Sequence, residues 1–129
     1  RGAIIRRPRA LLLSAATVTL ALTSCSAESS EYCQVLTDDR DAALAVFTPI
    51  FPDTHTAEDA QERLDLLDDA APLAPAEAEE DFSLWHDYMG TVTAELDSDP
   101  EGVLELGTSD EVLTAGHNLV EHYGETCLS

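Results

Sequence analysis

The chain is predicted to be all-α, a small up-down four-helix bundle. Apolar residues recur at helical spacing, Ser, Thr and Asp caps alternate with proline breaks, and no alternating run survives the Ala, Leu and Glu content to suggest a strand. The first helix is expected to start near Ser30 as N-cap and run to about Phe47. Its apolar stripe is Tyr32, Val35, Leu36, Ala43, Val46 and Phe47. Thr48 to Asp53 end it, because Pro49 and Pro52 cannot continue the hydrogen-bond ladder. Thr56 with Asp59 forms a variant capping box for the second helix, whose stripe is Ala60, Leu64, Leu67 and Ala71. Pro72 and Pro75 close it.

The third helix is expected to open around Pro75 or Ala76, where proline is tolerated and Glu77, Glu79 and Glu80 favour the positive end of the helix dipole. Phe82, Trp85, Met89, Val92 and Leu96 form its buried stripe. After the polar stretch from Asp97 to Pro100, a short turn of helix covers Glu101 to Leu106. Thr108 followed by Glu111 repeats the capping signal, and Val112, Gly116, Leu119, Val120 and Tyr123 carry the last helix to Gly124.

A length of 129 residues allows one sizeable core. The 6 Arg stand against 26 Asp and Glu, lysine is absent, and the formal charge is -20. Such a chain cannot bind nucleic acid by neutralising phosphates. Four of the arginines, Arg1, Arg6, Arg7 and Arg9, sit ahead of an uncharged run from Ala10 to Leu22. This is the layout of a secretory signal, and the run is shorter than the roughly 20 residues a membrane-spanning helix requires. Arg6 and Arg7 raise a twin-arginine route, but Pro8 and Arg9 fit that motif poorly, so general secretion is expected.

The run ends in Leu22, Thr23, Ser24 and Cys25. This resembles the lipobox of bacterial lipoproteins, and with its acidic Ala-rich helices the chain is similar to small lipoproteins of high-GC Gram-positive bacteria. The resemblance implies cleavage between Ser24 and Cys25, a thioether-linked diacylglyceryl group on Cys25, and an extracytoplasmic domain held on the cell membrane by acyl chains. Residues 1–24 are then the signal peptide, 25–30 the lipidated cysteine and its tether, and 31–129 the helical domain. As a flexible chain the five residues Ser26 to Ser30 reach only about 12 Å, which keeps the domain near the bilayer. Arg40 and Arg63 would be the only strong cations left against all 26 acids, so attachment must come from the lipid rather than from charge.

Three cysteines is an odd count for an exported protein, and lipidation of Cys25 resolves it. Cys33 and Cys127 remain as a pair, and an oxidising compartment favours a disulfide between them. In an up-down bundle the first helix's start and the last helix's end share one end, so the topology and the pairing agree. The Pro49 and Asp97 loops then point away from the membrane and are the expected binding end.

No nucleophile elbow, HExxH, Walker or dinucleotide glycine pattern occurs, and with so many carboxylates their mere presence discriminates nothing. Asp97, Asp99, Glu101 and Gly102 partly echo a calcium loop, but Thr108 stands where the closing Glu belongs. Asp99 as the cap of a helix starting at Pro100 is the better reading. His117 and Glu121 share a helix face, His122 points elsewhere, His86 flanks the Trp85 stripe and His55 lies in a loop. Trp85, Tyr88 and Met89 read as core. The expectation is a non-catalytic binding or scaffolding lipoprotein with an envelope protein as partner and no cofactor. The alternative is a metal-binding or metal-delivery lipoprotein that uses acidic and His side chains for a divalent ion.

Overall fold

A computed structural model of the chain describes residues 31–38, 43 and 45–128, and every regular element among them is helical. Residues 31–37 are helical, Asp38 is in a turn, and residues 43, 45 and 46 are helical again before the chain opens at Phe47. The expected uninterrupted first helix is therefore broken at Asp38. Four helices follow: α1 (Ala57–Ala70), α2 (Glu79–Glu95), α3 (Pro100–Gly107) and α4 (Asp110–Cys127), with two short 3-10 turns, Ala71–Leu73 and Ala76–Ala78, between α1 and α2.

The start of α1 follows its sequence signal. The Asp59 N–H donates to Thr56 Oγ1 at 3.2 Å, and the Thr56 N–H donates to Asp59 Oδ2 at 2.8 Å, so two otherwise orphaned donors are satisfied reciprocally. That bond from the Thr56 backbone, with its hydroxyl next, holds the Asp59 carboxyl below the usual carboxylate range. No side chain caps α2; Glu79, Glu80 and Asp81 in its first turn offset the helix dipole instead. Asp99 accepts from the Gly102 N–H at 3.0 Å and Pro100 opens α3, as read from the sequence.

The cap of α4 is one residue later than expected. Ser109, with extended φ and ψ of -67° and 147°, accepts from the Val112 N–H, whereas Thr108 closes α3. As the C-cap of α3, Thr108 has φ and ψ of -101° and 5° rather than the extended backbone of an N-cap, and its hydroxyl donates back to Leu104 O at 2.9 Å. The short helix expected over Glu101 to Leu106 is α3, which runs one residue further at each end and stops against this Thr108–Ser109 boundary.

The core forms around α2. Phe82, Trp85, Tyr88, Met89 and Val92 are all buried, with Leu96 just past the helix end. Each such side chain contributes roughly 1.5 to 3 kcal/mol by leaving water. Tyr32 and Phe47 meet Phe82 edge to face at centroid distances of 6.2 and 6.4 Å. Helices α2 and α4 run antiparallel, as shown by the pair Asp81 with Asn118 at 3.2 Å and, in the 3-10 turn just ahead of α2, Glu77 with His122 at 3.3 Å. Two stripe positions depart from expectation. Ala70 rather than Ala71 is buried in α1, and Ala115 is buried in α4 while Val120 faces solvent. The angle at which α1 and α4 meet α2 decides these neighbours, and a stripe read along one helix does not contain it.

Candidate functional site

Cys33 and Cys127 are joined in a disulfide across 94 residues, with their Cα atoms 5.3 Å apart. It ties the helical residues 31–37 to the last turn of α4. Glu77, in the connection between α1 and α2, pairs with His122 a little more than one turn before Cys127, so that connection sits toward the same end. Cys25, the expected leader before it and the expected tether after it lie outside the described residues. No helix among the described residues is long and apolar enough to cross a membrane.

Away from the disulfide, the stretch from the helical Val46 through the irregular residues 47–50 is strapped onto α2. The Trp85 indole N–H donates to Val46 O at 2.8 Å, and the Ile50 N–H donates to Tyr88 Oη at 2.9 Å; both bonds are buried. Proline-containing segments lack a regular ladder, and a buried backbone group without a partner costs about 1 to 3 kcal/mol. Trp85 and Tyr88, whose rings lie 5.0 Å apart, supply those partners. Both rings need room that glycine provides. A Cβ on Gly116 would fall 2.6 Å from the Trp85 ring, and one on Gly107 would fall 2.7 Å from the Tyr88 hydroxyl.

The close approach at Gly116 leaves an apolar groove of about 140 Å³. Phe47, Pro49 and Trp85 line it together with Leu113, Gly116, His117 and Val120 of α4. Leu113 and Val120 remain 43% and 44% exposed, two turns apart on one line of the helix. The sequence places Phe47, Trp85, Gly116 and Val120 of this groove on buried stripes and Pro49 in a loop at the expected binding end, and it gives Leu113 no role. The signal that could have found it is the seven-residue spacing of Leu113 and Val120 with Gly116 and His117 between them, since a purely buried stripe does not carry a histidine at its centre.

A second cavity, of about 510 Å³, is lined by Ala45, His55, Asp59, Glu62, Arg63 and Asp65, with Leu66 beside them. Arg63 donates to Thr48 O at 3.2 Å, and burial lowers its guanidinium from the ordinary arginine value while Asp59 opposes that shift. The histidines are spread apart. His86 faces Asp68 at 2.6 Å, His117 faces Glu121 at 3.3 Å, His122 faces Glu77, and His55 Nδ1 accepts from the Phe51 N–H at 2.9 Å. Among the described residues no three His, Cys, Asp or Glu side chains converge on a point where they could hold a metal ion. Asp97 and Glu101 are exposed, and Asp99 is engaged as the α3 cap.

The chain matches no family model, no curated protein and no solved structure. The geometry therefore carries the functional argument: one end is closed by a disulfide, and an apolar groove opens on α4 beside the Pro49 segment.

Proposed function

We propose that this is an extracytoplasmic lipoprotein whose helical domain, residues 31–129, binds or scaffolds an envelope partner without catalysis. In this reading residues 1–24 are removed, Cys25 carries the lipid, and residues 25–30 tether an up-down four-helix domain to the cell membrane. The observation that carries it is the Cys33–Cys127 disulfide. A disulfide that joins the two ends of a small helical domain belongs to an oxidising compartment, and it leaves a single cysteine, at the end of a lipobox-like run. The antiparallel α2–α4 pairing supports the up-down order. The groove on α4 supports binding.

Mass spectrometry of the protein recovered from cell membranes tests the anchor. The expected species begins at Cys25, carries diacylglyceryl on that residue and has no free thiol. A water-soluble species that retains residues 1–24, or one with free thiols at Cys33 and Cys127, overturns the reading.

A further inference from the structure

We propose that the groove beside Leu113 and Val120 receives the apolar face of a cationic amphipathic helix from a partner protein; this deepens the binding half of the reading above. The groove offers two anchor positions, Leu113 and Val120, about 10 Å apart along α4. That separation matches side chains two turns apart on an opposing helix, the i and i+7 anchors of helix-in-groove recognition. Leu113 and Val120 expose apolar surface at the edge of a shallow groove that Phe47, Pro49 and Gly116 also line above the buried Trp85 ring, and together these provide a place for an apolar side chain to leave water.

Charge selects the occupant. Asp110 and Glu121 lie on α4 to the side of the Leu113–Val120 line that carries His117, and both are exposed. Arg63 is the only Lys or Arg among the described residues, and it lines the other cavity among Asp59, Glu62 and Asp65. Once residues 1–24 are removed, a second copy would bring a formal charge of -24 against -24, and an anionic lipid surface would be repelled in the same way. A helix with Leu-type residues on one face and Lys or Arg beside them satisfies both the groove and its acidic margin.

The full chain is titrated into a dye-labelled peptide of Leu and Lys at amphipathic helical spacing, and the anisotropy of the peptide is followed. A saturable rise is expected, and no rise would end the proposal. It should weaken about tenfold in Leu113→Asp and in Val120→Asp, and fall further as salt is raised. The same peptide with Glu in place of Lys should not bind. Because both side chains are already exposed, the two variants should unfold at close to the parent temperature, and a melt checks this.

Equal affinity of parent and variants would mean diffuse attraction to an acidic surface and would end the proposal. Equal binding of the Glu peptide, or a concentration-dependent dimer in sedimentation that Leu113→Asp abolishes, would do the same. If the groove fails while crosslinking on intact cells still joins another face of this domain to one defined envelope protein, the binding function stands and only its location and chemistry are refuted.

Discussion

The indole of Trp85 holds the main-chain carbonyl of Val46 at 2.8 Å, deep in the interior. One turn further along α2, Tyr88 receives the Ile50 N–H at 2.9 Å. These two bonds convert a stretch containing Pro49 into a fixed wall of the core. Trp85→Phe strands the carbonyl and opens space, and should cost about 2 to 4 kcal/mol in urea unfolding. Tyr88→Phe removes only the acceptor and should cost about 1 to 2 kcal/mol. Losses below about half a kcal/mol in both would show that the 46–50 stretch is held by something else.

Gly116 is small because Trp85 lies against it. Replacing a helical glycine with alanine ordinarily stabilises by about 0.5 to 1 kcal/mol. At Gly90, where an added Cβ meets nothing within 4 Å, that gain is expected. At Gly116 the added methyl would press on the Trp85 ring and on Phe47 O, and the sign should reverse to a loss of about 1 to 3 kcal/mol. Thermal melts of Gly90→Ala and Gly116→Ala compare the two directly, and shifts of the same sign contradict the packing argument.

Reduction of the Cys33–Cys127 bond releases a long closed loop. The chain-entropy model puts its contribution at about 4.7 kcal/mol. The paired substitution Cys33→Ser with Cys127→Ser should lower the denaturant midpoint by a corresponding amount, and added reductant should do the same to the parent. A parent protein whose midpoint ignores reductant would show that the ends are held by packing alone.

Alkaline pH should loosen the fold in a residue-specific way. Burial pushes the hydroxyls of Tyr32 and Tyr88 above the ordinary tyrosine value, more strongly for Tyr32. The folded state therefore prefers the neutral ring. The stabilisation is complete below the unfolded value of about 10 and is lost as pH climbs above it. Stability measured across that window should fall for the parent and fall less for Tyr32→Phe. A parent and variant with parallel slopes would assign the alkaline loss elsewhere.

Much of the helical content was readable because its causes are local. Thr56 with Asp59 and Asp99 with Gly102 are contacts within one turn, so the residues that make them stand together in the chain. Phe82, Trp85, Met89 and Val92 fell on one face for the same reason. The errors also have local causes that compete at close range. Thr108 and Ser109 are both capable caps, and only the end of α3 determines which takes the extended backbone a cap needs. The groove was less legible. Val120 fits an apolar stripe as well as Leu119 does, and its exposure depends on where Phe47 and Pro49 come to rest across α4.

The sequence by itself determined the all-helical class and the acidic composition, and it pointed to the pairing of Cys33 with Cys127 once Cys25 was set aside for its resemblance to a lipobox cysteine, since composition and spacing need no partner to be read. Only the tertiary structure decided that Trp85 and Tyr88 satisfy the backbone of the 46–50 stretch, that Gly116 is a point of close approach, and that Leu113 and Val120 stay in water. The physical reason is range. Caps and stripes are set within a turn of helix, whereas a groove exists only where residues some 70 positions apart in the chain are packed side by side.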